Sequence, residues 1–254
     1  MNRTLLWVSS ATLAALMLAL SQVPPAEAHE PAVASVSQSG PGHAGPAPLS
    51  ARFRVRVTGP ASAAQPAVQQ VWYFHRSGEQ VALLKGAIDE VWRRDPQGHV
   101  SFERVFHEAQ HTTYYTEGEL LTLGVATDWA ALSTLVDSQV LAALRVVSRH
   151  GTRAAERQVL SGRVAGEAYR IEWSPALQLP VRLARTERDG RRTELRLEQQ
   201  AAVAPAEWPQ AGQRSADYVR LDAADFGDMD YEPVVRQSEA LDIRLGWRVA
   251  HHHD

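Results

Sequence analysis

His107-Glu108-Ala109-Gln110-His111 has the spacing with which metalloproteases hold zinc, two imidazoles one helical turn apart and a glutamate as general base. That chemistry needs a helix. Val100 to Phe106 instead alternates like a strand, and Thr112-Thr113-Tyr114-Tyr115 is β-branched and aromatic. On a strand, residues four apart lie about 13 Å from each other, too far to chelate one ion. No third ligand follows at metzincin spacing. The expectation is therefore a solvent-facing polar edge or hairpin end. A zinc-dependent hydrolase using His107, Glu108 and His111 stands as the remote alternative.

Two other stretches have ligand-type side chains. His251-His252-His253-Asp254 offers imidazoles to Zn, Cu or Ni, though three adjacent histidines on a chain end have no fixed geometry. Asp228, Asp230 and Glu232 alternate like the first ligands of a calcium loop, within an acidic run that also holds Asp222 and Asp225. Pro233 stands where such a loop needs glycine, and no glutamate closes it. That run reads as a solvated surface or a docking segment for a basic partner. No Ser-His-Asp order, phosphate loop or cofactor fingerprint occurs. An enzyme is not indicated, and no cofactor is expected.

Chain organisation comes next. Arg3, the apolar run Leu5 to Leu20 and Ala26-Glu27-Ala28 form the three parts of a signal peptide, which predicts export and cleavage after Ala28. The apolar run is short for a spanning helix, so no stable membrane anchor is expected. The 254 residues include no cysteine, which excludes a lipobox and leaves stability to the core. Net charge is -3, with both signs interspersed and no basic block, so nucleic-acid binding is not indicated. Residues 29–49 are rich in Pro, Gly, Ala and Ser and read as a disordered leader. Residues 50–200 read as one domain, and residues 201–254 as a C-terminal extension with the acidic segment and the histidine tail.

Within that domain the period is mostly two. Phe53, Val55 and Val57 alternate with Arg52, Arg54 and Arg56. Hairpins are expected around Ser77-Gly78 and Asp95-Pro96-Gln97-Gly98. Tyr169, Ile171 and Trp173 alternate with Arg170 and Glu172, and Asp189-Gly190 joins two further alternating runs. From Asp128 to Val147 the apolar residues recur instead at three and four, which predicts one helix. Pro233 to Leu245 predicts a short terminal helix. The fold class is α+β and mainly β: a curved antiparallel sheet or half-open β-barrel of nine to eleven strands, with a helical lid.

This pattern resembles the periplasmic lipoprotein-carrier superfamily, the carriers and receptors of outer-membrane lipoprotein sorting. The likeness is carried by the signal peptide, the early amphipathic strand, the hairpins with Trp72 and Trp92, the central helix, and Tyr169-x-Ile171-x-Trp173-Ser174-Pro175 with its Asp-Gly hairpin. It implies a half-barrel that shelters acyl chains beneath a lid. The expected ligand wall is Trp129, Leu132, Leu135, Val136, Leu144, Tyr169, Ile171 and Trp173. The expected partner is a lipid or lipoprotein acyl chain in the periplasm. A filled barrel that meets a periplasmic protein partner or a metal is the alternative.

Overall fold

The computed structural model describes residues 46–60, 66–125 and 127–247. The signal segment, most of the leader and His251, His252 and His253 lie outside these residues. Twelve strands form one sheet: β1 Leu49–Thr58, β2 Val68–Arg76, β3 Gln80–Leu84, β4 Ile88–Arg94, β5 Val100–Phe106, β6 His111–Tyr115, β7 Arg145–His150, β8 Arg157–Val164, β9 Glu167–Ser174, β10 Leu179–Thr186, β11 Arg192–Ala201 and β12 Val219–Asp222. Their order is β12-β6-β5-β4-β3-β2-β1-β11-β10-β9-β8-β7. Every neighbouring pair is antiparallel except β12 on β6. The sheet is open and mainly antiparallel, the half-open barrel class expected.

Alternation fixes the faces. Phe53, Val55 and Val57 on β1 are buried, whereas Arg54 and Arg56 between them are exposed. Residues directly opposite in an antiparallel pair point to the same side. One side therefore carries the main core, from Trp72 and Phe102 at one end to Ile171 and Leu183 at the other. We call this the inner face.

The expected helix over 128–147 is not continuous. Its residues form α2 Trp129–Thr134, α3 Ser138–Ala143 and then β7. Leu135 ends α2 in the left-handed region (φ 61), and Asp137 restarts the helix by accepting from the Gln139 backbone N–H at 2.6 Å. Each single turn buries its own leucine or valine, so helical spacing survives the break. Beyond it, Val146 and Val147 favour the strand that pairs with β8. A further short helix, α1 Glu117–Thr122, begins at a capping box formed by Thr116 and Glu119.

The longest helix is α4, Pro233–Leu245, as its apolar pattern predicts. Proline starts it, and Gly246 (φ 77) ends it in a Schellman turn, with the Trp247 N–H donating to the Asp242 carbonyl at 2.8 Å. The chain reaches α4 by folding over the edge of the sheet. Trp208 packs on Tyr73 of the outer face, β12 extends the edge, and α4 lies against the inner face. Among the described residues no helix is long and apolar enough to cross a membrane.

Candidate functional site

The inner face has two differently covered halves. Over β8 to β11 the wall includes Leu160, Tyr169, Ile171 and Leu183; α3 packs on β8, and α2 adds Leu132 to the same apolar cluster. Leu132, Leu135, Val136 and Leu144 are all buried in the same apolar cluster as Tyr169 and Ile171. Trp129 and Trp173 are half-buried and pack against that cluster. The eight residues expected to line a ligand wall thus fall in or against one continuous core. Leu144 lies on β8, where a Cβ added at Gly162 would meet its Cδ2 at 3.0 Å.

This lid is held by arginines at two points. Arg94 at the end of β4 stacks on the Trp129 ring, 4.9 Å from its centroid. Arg76 at the end of β2 is 5% exposed and has no carboxylate at its guanidinium among the described residues. It donates instead to four carbonyls: Ala47 at 2.9 Å, Ser133 at 2.8 Å, Leu177 at 2.6 Å and Gln178 at 3.2 Å. Ser133 belongs to the lid, and Leu177 and Gln178 to the β9–β10 turn. One buried cation therefore ties lid, turn and sheet together. Burial pushes its pKa down to about 10, which leaves it charged at neutral pH. The buried Ser133 hydroxyl beside it makes no hydrogen bond among the described residues.

The other half, over β2 to β6, is occupied by α4. Arg104 and Asp242 are both fully buried, with Nη1 and Oδ1 at 3.0 Å. Asp242 Oδ2 also accepts from the Tyr115 hydroxyl at 2.9 Å, and Ser238 bonds both Arg104 and Tyr115. Burial first, and then the Asp242 charge, raise the Tyr115 pKa, so the phenol stays protonated as a donor. Trp247 packs edge-on to Trp92 and Phe102. Nearby, buried Lys85 pairs with Glu90 at 2.7 Å above the Trp72 ring, its pKa lowered by burial. This half is filled by side chains of the protein itself.

The end of the wall beyond Ile171 is polar. Arg185 grips Glu167 with two bonds of 2.7 Å, and the Tyr169 hydroxyl donates to the same carboxylate at 2.8 Å. Tyr169 is thus both a wall residue and part of a polar floor.

The histidine pair does not chelate. Residues 107–110 form the turn between β5 and β6, and His111 opens β6. His107 is not solvent-facing as expected: its side chain is 8% exposed, with Nε2 at 2.6 Å from Asp89 Oδ2 and Nδ1 at 3.2 Å from the Tyr218 hydroxyl. It pins the C-terminal strap, residues 202–218 between β11 and β12, to the β4–β5 hairpin. His111 Nδ1 lies 2.6 Å from the Ala109 carbonyl. Asp222 to Asp228 and their neighbours hold the turn of 3-10 helix at 223–228 that leads into α4.

Arg76, Arg104 and Asp242 are not among the site residues expected from the sequence. A signal existed for Arg104 and Glu90, which share strand parity with Phe102 and Trp92 and therefore point inward. The same parity marks Arg76, which follows Trp72 and Phe74 on β2, but its partners are backbone carbonyls that only the fold assembles.

No protein-family model matches the chain, and no curated protein does. Among solved structures it is similar to an outer membrane lipoprotein-sorting protein domain from Vibrio parahaemolyticus, with 8% identity, 72% of this chain and 91% of that chain covered, and a TM-score of 0.32. The complex of MucA and MucB from Pseudomonas aeruginosa matches at 14% identity, covering 66% and 56%, with a TM-score of 0.33. PNGF-II matches at 9% identity, covering 73% of this chain and 34% of that one, with a TM-score of 0.38. The chain thus spans about a third of the PNGF-II structure. What it does has to be read from its own residues.

Proposed function

We propose that the protein is an exported, non-enzymatic binding protein that shelters a lipid or lipoprotein acyl chain between the β8–β11 wall and the α2–α3 lid. The observation that carries this reading is the make-up of the lid. Two helices of six residues, joined through a left-handed leucine, cover an apolar wall; one buried arginine bonds a lid carbonyl, and α3 with Leu144 packs on β8. Such short helices have little stability of their own, so a cover of this kind opens at low cost. Transfer would then work by burial: the wall replaces the membrane at ~0.8 kcal/mol per buried CH₂, and lid opening releases the cargo. The polar end at Arg185 and Glu167 limits how deep an acyl chain runs. The signal-peptide pattern of Met1 to Ala28 supports the periplasm as the site of this work.

The occupied half supports a second reading. There α4 and Trp247 already fill the sheet, as they would in an interaction module that carries no cargo and meets a periplasmic protein.

Mass spectrometry of an organic extract of protein purified from a native-like periplasm separates the two. The carrier reading expects a stoichiometric lipid that is lost in Leu135→Asp and Leu144→Asp, with circular dichroism unchanged. An empty wild type that also fails to take up a fluorescent fatty acid sinks it in favour of the interaction module.

A further inference from the structure

The outer face of β1, β11, β10 and β9 is built against a basic sheet rule. Arg54 lies directly opposite Arg196, and Arg196 directly opposite Arg182, so three arginines share one row across three strands. In the adjacent row Arg56, Glu194, Ala184 and Arg170 follow one another. Like charges placed opposite each other destabilise a sheet. Their counterions are few. Arg54 reaches Glu198 at 2.6 Å and Arg182 reaches Glu172 at 3.7 Å, while Arg196 has no ion pair among the described residues. Arg54 and Arg182 side chains are 58% and 63% exposed. A protein whose net charge is -3 thus concentrates arginine on one face, and stability alone does not account for it.

We propose that this face docks the protein on an anionic phospholipid bilayer. Guanidinium forks match phosphate oxygens two at a time. The rows cross four strands at ~4.8 Å per strand, wider than one phosphate and suited to several headgroups side by side. Between β1 and β9 no exposed large hydrophobic interrupts them, so contact stays at headgroup level. A depression of about 420 Å³ lined by Arg170, Arg182, Arg192 and Arg196, against the two carboxylates Glu172 and Glu194, gives one headgroup room to settle. The strap and Trp208 cover the outer face elsewhere, over β2 to β4, and leave this part open. The choice of a bilayer over an acidic protein rests on the carrier reading, because acyl cargo is collected and delivered at membranes.

The test is co-sedimentation with vesicles of phosphatidylcholine, with and without about one third phosphatidylglycerol, at low salt and near ~0.15 M. Fluorescent fatty-acid uptake is measured on the same samples, so docking and cargo binding fail separately. Expected is binding that needs phosphatidylglycerol, weakens with salt, and falls about a hundredfold in R182E/R196E. Arg196→Glu alone should melt higher, because it gives Arg54 and Arg182 a partner and leaves the Arg182–Glu172 pair in place. A residue that serves the fold moves stability the other way. No binding to phosphatidylglycerol vesicles, or equal binding by R182E/R196E, overturns the proposal. So does displacement by soluble polyglutamate that binds as tightly as vesicles, which makes the partner an acidic protein. Displacement by inorganic phosphate at matched concentration overturns it too, in favour of a single-anion site.

Discussion

The two halves of the inner face solve one problem differently. Each must cover an apolar sheet, and each cover is pinned by a buried arginine. At the β2–β6 end the cover is a helix of 13 residues with both ends defined, and its arginine meets a carboxylate on that helix. At the β8–β11 end the cover is two helices of six residues, and the arginine meets carbonyls only. A buried ion pair is expensive to break, because either partner alone is an uncompensated charge in a low dielectric. A guanidinium bound to neutral carbonyls keeps its charge whether the lid is shut or open to water. The first arrangement makes a permanent wall. The second makes a cover that can part from the sheet without stranding a charge.

The largest test of this contrast is Asp242→Asn. It leaves Arg104 buried beside a neutral amide, and the expected loss is ~3–5 kcal/mol of global stability. Urea unfolding should show it as a lower midpoint for the whole domain, with tryptophan fluorescence and far-UV signals moving together. If the loss stays under ~1 kcal/mol, the α4 half is not the permanent one and the contrast collapses.

Arg76→Met comes next. It keeps an unbranched apolar stem and removes the guanidinium with its four carbonyl bonds, for which about 2 kcal/mol is expected, since such bonds are individually stronger but not additive. The effect should be local. Hydrogen exchange should quicken at Leu132, Leu135 and Val136 while α4 amides keep their protection. Equal loss of protection in α4 would mean that the lid and α4 open as one unit, and the two-cover picture would be wrong.

How far the sequence reveals these halves follows from what each is made of. The strands announce themselves because one apolar face forces a period of two; Tyr169, Ile171 and Leu183 were readable in that way. Helix α4 was readable too, since Pro233 and Gly246 punctuate it and its apolar residues keep helical spacing. The lid was not, because single helical turns satisfy the same spacing as one long helix, and the break depends on Leu135 accepting φ 61 and on β8 recruiting Arg145–His150. Arg76 and Arg104 were half legible, because Arg76 shares strand parity with Trp72 and Phe74, and Arg104 with Phe102, so each has to find partners inside. What Arg76 finds was hidden, because carbonyls carry no sequence identity and only the fold gathers four of them.

The smallest effect expected tests how α4 is kept in place. The strap that leads to it is fastened by His75, whose Nδ1 lies 2.9 Å from the Ser50 hydroxyl and whose Nε2 lies 3.0 Å from the Pro209 carbonyl. A carbonyl only accepts, so Nε2 carries the hydrogen and Nδ1 accepts from Ser50 in the neutral ring. Burial lowers the His75 pKa below 6.5, and the Pro209 bond offsets only part of that. Between the folded pKa and 6.5 the unfolded chain binds the proton and the folded chain does not. Stability therefore rises with pH across that window, is fully present above 6.5, and is lost as pH falls through the folded value. Chemical unfolding between about pH 5 and pH 8 should show this dependence in the wild type and lack it in His75→Gln. If Trp208 fluorescence shifts in acid before the domain unfolds, the strap lets go first and α4 stays through Arg104 and Asp242. If both leave together, the ion pair and the strap are one fastening, and the permanence of that half comes from the outer face as much as from the inner one.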